Sequence, residues 1–116
     1  MQPSLDVVFA ALANPTRRAI LDRLRHGEVP AGDLGAPFAL SQPTISTHLK
    51  VLESAGLVTR GRNANQRPVR LHPAALAALD DWIGPYRQLM EDRLDRLEDV
   101  AKQLQQKETQ DDRSDH

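Results

Sequence analysis

The chain has no cysteine among its 116 residues. That absence excludes disulfides, thiolate metal sites and cysteine nucleophiles. It is compatible with a reducing cytoplasm. No apolar run approaches the roughly 18 residues that a membrane span needs. The opening residues, MQPSLDVVFAALANP, lack a basic segment followed by a long apolar one, so no signal peptide is expected. There is no glycine-rich phosphate loop, no paired nucleophile and base, and no ligand cluster, which leaves an enzyme as the weakest reading. The four histidines, His26, His48, His72 and His116, are scattered along the chain. They read as surface residues rather than ligands, so neither a metal nor another cofactor is expected.

What the chain does have is charge sorted by position. Between Asn14 and His72 nine Lys/Arg stand against four acids, a balance of +5, and from Pro73 to His116 six basic residues stand against eleven acids, a balance of −5. The overall charge of −1 therefore hides a basic segment joined to an acidic one. Chance sorting of surface charge is one reading, and a nucleic-acid face on the basic segment is the other.

The apolar spacing predicts mainly helix. Leu5, Val8, Phe9 and Leu12 recur at helical intervals over about 4–13. Asn14-Pro15 reads as an N-cap with proline at the first helical position, opening a helix that stops at His26-Gly27. A short third helix is expected over Ala31 to Phe38. Ser41 caps the next helix, which runs from Gln42 to about Ala55, buries Ile45, Leu49 and Leu52, and stops at Gly56. Two extended runs, Leu57–Arg62 and Arg67–Leu71, flank the turn formers Asn63 to Gln66 and predict a β-hairpin. Pro68 lacks a ladder donor, which puts its strand at an edge. The last helical region starts near Pro73, is interrupted at Gly84-Pro85, and continues with Tyr86, Met90, Leu94, Leu97, Ala101 and Leu104 in a near-heptad stripe too short for a sustained coiled coil. One domain is expected over 1–106, with 107–116 (KETQDDRSDH), which has no apolar residue, as a disordered acidic tail.

A short helix, a tight turn and a polar-faced helix make a helix-turn-helix, and the hairpin behind it is a wing. An α-helix fits the DNA major groove and reads base edges with side chains near its N-terminal end. Gln42, Thr44, Ser46, Thr47, His48 and Lys50 offer such groups on the side away from Ile45 and Leu49. Glutamine can bond adenine twice, Ser and Thr serve several bases, and Lys50 suits phosphate better than a base. The wing arms carry Arg60, Arg62, Arg67 and Arg70. The first three are candidate phosphate or minor-groove contacts, while Arg70 is open to pairing with an acid. Edge strands also carry positive charge merely to block aggregation, and a solvated polar face is the plain alternative for the helix. Arg17 and Arg18 read as a solvated helix face or as phosphate contacts.

PTRRAILDRL, then LSQPTISTHLKVLESAGLVTR, then a wing and a long final helix resemble the ArsR-type winged-helix transcriptional regulators over roughly residues 5–104. The resemblance implies a winged helix-turn-helix fold, mainly α with a small β-hairpin, and a cytoplasmic homodimer that represses its own operator on double-stranded DNA. It further implies that the first and last helices form the dimer interface. Here those helices offer Leu5, Val8 and Phe9, and Leu79, Ile83, Tyr86, Met90, Leu94 and Leu97. The chain departs from the family's metal sensors. The segment VPAGDLGAPF holds neither Cys nor His, and Asp80 and Asp81 have no histidine at i+3 or i+4. The last helix resembles the metal-independent branch, whose inducer is often unknown or a protein. A helix of about 30 residues spans ~45 Å, longer than the face of a small winged helix, which also favours a dimer. The rival from another class is a winged helix used as a protein-interaction module without DNA binding.

Overall fold

The computed structural model describes residues 4–61 and 67–114, the last four as backbone alone. Two compact units result, Met1–Asp81 and Trp82–His116. In the first unit α1 (Leu5–Leu12) is followed by α2 (Pro15–Leu24). Asn14 lies in extended backbone and its side chain accepts the Arg17 N–H at 3.1 Å, which satisfies one open donor of α2. The open carbonyls at the other end of α1 are met by arginine. Arg17 Nε donates to the Ala11 carbonyl at 2.7 Å and its Nη2 to that of Ala10 at 3.2 Å, while Arg18 Nη1 donates to Leu12 at 2.7 Å. A cation at a helix C-terminus also meets the negative end of the dipole.

The helix expected over Ala31–Phe38 is instead two 3-10 turns, Ala31–Asp33 and Ala36–Phe38. Pro37 has no N–H to return to residue 33, and Gly32 and Gly35 weaken what remains. The break has a packing purpose. Gly35 is buried, and a Cβ placed on it would lie 2.9 Å from Ile45 Cγ1 and 3.0 Å from the Leu40 carbonyl. Its bare backbone is what lets the turn lie against the next helix.

That helix is α3 (Gln42–Ser54), with the Ser41 hydroxyl accepting the Thr44 N–H at 3.4 Å and Ile45, Leu49 and Leu52 fully buried. Gly56, at φ 77, reverses the chain. Its N–H reaches the Glu53 carbonyl at 3.0 Å and the Leu57 N–H reaches Leu52 at 2.9 Å, with both leucine side chains buried. This paired closure needs the left-handed conformation that glycine adopts freely.

The hairpin is formed by β2 (Val58–Arg60) and β3 (Pro68–Leu71), and a third strand, β1 (Val29–Pro30), joins it in the order β1-β3-β2. Pro68 is therefore on the middle strand, not at an edge. It is tolerated because it is the strand's first residue and lies opposite Pro30, so neither side offers or needs a donor there. Its carbonyl accepts the Gly61 N–H at 2.7 Å. The turn formers Asn63 to Gln66, and Arg62, lie outside the described residues.

Core residues from α1, α2, α3 and the sheet meet in the first unit, with Val8, Ile20, Leu34, Leu57 and Val69 each at 0–1% exposure. Val8 thus belongs to this chain's own core. It has no surface to offer a partner, which removes it from the expected interface. Leu5 is half-buried and Leu79 packs against the core from the first turns of α4, while Phe9 is 41% exposed.

The last helix, α4 (Pro73–Ser114), runs through Gly84-Pro85 without the expected interruption. Proline costs one i→i−4 bond and a local clash, and the good helix formers on both sides carry the helix past it. It also continues beyond 106 to Ser114, where an unstructured tail was expected. In that stretch the Thr109 hydroxyl bonds back to the Gln105 carbonyl at 3.0 Å. From residue 85 to residue 110 every residue is exposed. The second unit is a helix without a core of its own. None of the helices is long and apolar enough to cross a membrane, among the described residues.

Gly35→Ala is expected to lower unfolding free energy by about 1–3 kcal/mol through overpacking against Ile45. Gly32→Ala, with nothing within 4 Å of the added carbon, should stay within about 1 kcal/mol of the parent. Urea melts of the two variants make the comparison, and equal costs would refute the close approach.

Candidate nucleic-acid interface

Successive residues of a helix are turned by about 100°. Ile45, Leu49 and Leu52 therefore occupy a sector of about 60° on α3. Measured from its centre, Thr44, Ser46, Thr47 and Lys50 point away by about 90° or more, with Thr47 nearly opposite. Thr44, Thr47 and Lys50 are exposed, and Ser46 is half-buried. Gln42 and His48 sit closer to the buried stripe, about 60° to either side of it. The polar set is thus not one face but an outward group and two flanking residues.

The flanking residues are partly committed within the protein. Gln42 Nε2 donates to the Ala31 carbonyl at 3.2 Å, tying α3 to the preceding turn. His48 is half-buried, and its Nδ1 is enclosed without a hydrogen-bond partner, so Nε2 is the nitrogen left to meet an outside group. Two hydroxyls of the outward group also have local partners. The Thr47 hydroxyl donates to the Pro43 carbonyl at 3.1 Å, and Thr44 Oγ1 shares a hydrogen with Ser41 Oγ at 2.9 Å. With its proton used at home, Thr47 presents an acceptor and a methyl group. The one acid of α3, Glu53, does not disturb this surface. It faces Arg60, whose Nε lies 3.0 Å from Glu53 Oε2.

The wing arginines separate in the same way. Arg60 is only 20% exposed in its side chain, and its Nε and Nη2 are buried. The Nε–Oε2 approach has ion-pair distance without hydrogen-bond alignment. Arg60 joins β2 to the end of α3 and does not stand free at the surface. Arg67 is exposed, at φ 39 immediately before Pro68, and Arg62 is outside the described residues. Arg70 is exposed on the middle strand beside buried Val69 and has no ion pair among the described residues. Strand alternation around Val69 was the signal for adding it to the outward cations. Internal bonds also occupy Arg17 and Arg18 at α1 and Arg23, whose Nη1 donates to the Asp33 carbonyl at 2.6 Å, while Arg25 pairs with Asp22 at 2.9 Å. The described basic side chains without such partners between Asn14 and His72 are Lys50, Arg67 and Arg70.

A capped helix with an outward polar, acid-free surface, preceded by a tight turn and followed by a small antiparallel sheet, is a winged helix-turn-helix module. The comparisons with known proteins agree and narrow it. A family model described as a helix-turn-helix domain matches residues 12–61. The HTH-type transcriptional regulator Rv2034 of Mycobacterium tuberculosis is 45% identical over 76 residues, 66% of this chain and 71% of the relative. The transcriptional repressor SdpR of Bacillus subtilis is 37% identical over 66% of this chain and 84% of its own. An arsenical resistance operon repressor of Staphylococcus xylosus is 41% identical over 59% of this chain and 65% of its own. Among solved structures, an ArsR family transcriptional regulator superposes with TM-score 0.67 at 31% identity, covering 75% of this chain and 96% of that one. A homodimeric winged helix-turn-helix DNA-binding domain from Mycobacterium bovis gives TM-score 0.59 at 29% identity, over 72% of this chain and 77% of that one. The chain belongs to the ArsR family of winged-helix transcriptional regulators.

Two arginines of similar sequence character are expected to behave differently in the DNA-free protein. Arg17→Ala removes charge-assisted bonds to two carbonyls and should cost about 1.5–3 kcal/mol of stability, whereas exposed Arg70→Ala should stay within about 0.5 kcal/mol. Chemical denaturation followed by circular dichroism measures both. A neutral Arg17→Ala would show that the bonds to α1 contribute nothing.

Proposed function

We propose that this chain is a homodimeric, sequence-specific DNA-binding regulator that represses transcription from its own operator. The observation that carries the reading is the acid-free outward surface of α3, held between the Ser41 cap and the arginine-bearing sheet. In this reading Thr44, Ser46 and Thr47 meet base edges, with the Thr47 methyl suited to thymine and its oxygen to a base amino group. Gln42 and His48 reach bases from the margins of the helix. Lys50, Arg67 and Arg70, with Arg62, neutralise phosphates and set the register on the duplex. Arg60 holds the wing rather than the DNA.

Dimerisation is supported by exposed apolar side chains on α1 and α4, including Phe9 at 41%, Ile83 at 43%, Tyr86 at 58% and Met90 at 58% exposure. Exposed Leu94 and Leu97 and half-buried Leu5 and Leu79 complete the proposed set. Two copies are needed because a single small reading helix contacts few bases, and two present a half-site each. The name of the Mycobacterium bovis structure describes a homodimer, and that of SdpR a repressor. The reading also includes a cytoplasmic location, no catalysis, and operation without a metal. The absence of cysteine supports the last point. In this reading the inducer is a protein or a small molecule.

The purified protein should bind the DNA upstream of its own gene more tightly than a scrambled sequence, and both affinities should fall with salt by ~0.9 log units per log unit of salt for each phosphate neutralised. Lys50→Ala should weaken both DNAs alike and shallow the slope by about that amount for each protomer. Thr47→Ala should narrow the gap between the two DNAs. Fluorescence anisotropy across a salt series reads all three quantities, and equal affinity for the two DNAs in the parent protein would defeat the proposal.

A further inference from the structure

We infer that a cavity between the end of α1, α2, the end of β3 and the first turn of α4 is a binding site for a small carboxylic acid with an apolar body. The cavity lies wholly within the first unit and has a volume of about 320 Å³. Ligand sites begin near that size. Leu12, Leu21, Leu71 and Leu76 form its walls. The first three are half-buried, and Leu76 is 40% exposed. Among the described residues, neither the outward group of α3 nor the wing cations line it. The site is therefore separate from the surface proposed to meet DNA.

The rest of the lining is charged and sets the class of ligand. It comes from α2 as Arg18, Asp22 and Arg25. Arg25 Nε lies 2.9 Å from Asp22 Oδ1, so these two offset each other. Arg18 carries the surplus charge. Its Nη1 donates to the Leu12 carbonyl at 2.7 Å, a bond that anchors the guanidinium beside the apolar wall without neutralising it. The other edge, Nε with Nη2, has no partner among the described residues. Such an edge presents two parallel N–H donors, the geometry that holds a carboxylate through both oxygens. A ligand matched to the whole cavity has one carboxylate and an apolar remainder. An inorganic anion would leave the leucine walls unused, and a hydrocarbon would leave Arg18 unmatched. An amine would add a third cation to the site.

The walls connect the site to α3. Leu71 is the last residue of β3, and Leu76 stands in the first turn of α4. Between them the His72 N–H bonds to the Leu57 carbonyl and the Ala75 N–H to the Gly56 carbonyl, at the turn that closes α3. An occupant that spreads or tightens Leu71 and Leu76 acts on that turn. It changes DNA affinity to the extent that it binds the two arrangements unequally. As an effector site the cavity rests on the DNA-binding reading above, whereas as a binding site it stands alone. Leu12 and Leu76 belong to helices that carry the proposed dimer surface, so a second copy is the competing occupant.

Octanoate is the probe, with octylammonium and 1-octanol as matched controls. Calorimetric titration of the full-length, DNA-free protein should show saturable binding of octanoate alone. Arg18→Gln should weaken it by about tenfold or more through loss of a charge-assisted pair. Arg18→Lys, which keeps the charge but not the fork, should fall between. Asp22→Asn removes the opposing acid and should tighten binding by about two- to fivefold, a gain that misfolding cannot produce. No binding, equal binding of either control, or indifference to Arg18→Gln overturns the site. Light scattering during the titration tests the competing occupant: a dimer that dissociates as octanoate saturates shows that a second copy covers the cavity, and the ligand site falls. Saturating octanoate should also shift the affinity of the parent for its upstream DNA, and binding without a shift removes the effector role. Octanoate binding to a protein that treats upstream and scrambled DNA alike upholds the site and removes the regulator reading instead.

Discussion

One turn, Gly56-Leu57, carries more of the first unit than its two residues suggest. Through its N–H groups it closes α3, and through its carbonyls it accepts the His72 N–H at 2.9 Å and the Ala75 N–H at 3.3 Å. The end of α3, the start of β2, the exit of β3 and the first turn of α4 are therefore bonded to a single point. The left-handed φ of 77 at Gly56 is the condition for this convergence. The outward group on α3 is aimed from this point and from the buried stripe behind it. That outward surface thereby has a rigid mount, with this turn at one end and the bare backbone of Gly35 at the other.

The outward surface shows how internal bonding edits a sequence's apparent charge. The segment between Asn14 and His72 has a balance of +5, which points toward nucleic acid. Five of its eight arginines nevertheless bond or pair inside the protein: two close α1, one holds the turn before α3, Arg25 pairs with Asp22, and Arg60 joins the wing to Glu53. The long-range field of Arg17, Arg18 and Arg23 persists, because a hydrogen bond to a carbonyl does not neutralise a guanidinium. Fewer cations stand free of internal partners at the surface, Lys50, Arg67 and Arg70 among the described residues.

The features visible in the sequence are those with a local physical signature. Asn14 and Ser41 are caps, Gly56 is a stop, and the spacing of Ile45, Leu49 and Leu52 marks a buried stripe. Each involves neighbours a few residues apart. What escaped depends on distant partners or on very short elements. Strand β1 has two residues, one of them proline, and no periodicity can announce it. Its presence is what moves Pro68 from edge to middle. The bonds from Arg17 and Arg18 reach six or seven residues back to carbonyls, which have no sequence identity at all. Pro85 was read as a break because propensity weighs against it, whereas a long helix absorbs one missing bond. For the candidate interface, which positions point outward could be read from periodicity. The internal ties of Gln42 and Arg60 and the enclosure of His48 Nδ1 could not.

The fully exposed helix from 85 to 110 has a thermodynamic consequence. A polar helix with no core beneath it draws its stability from whatever covers its apolar stripe. If that cover is another molecule, helix content in this region obeys mass action and rises with protein concentration. The winged-helix unit, with its own core, does not share that dependence. On dilution the chain would then lose order from one end only, keeping the outward surface of α3 while its last helix melts.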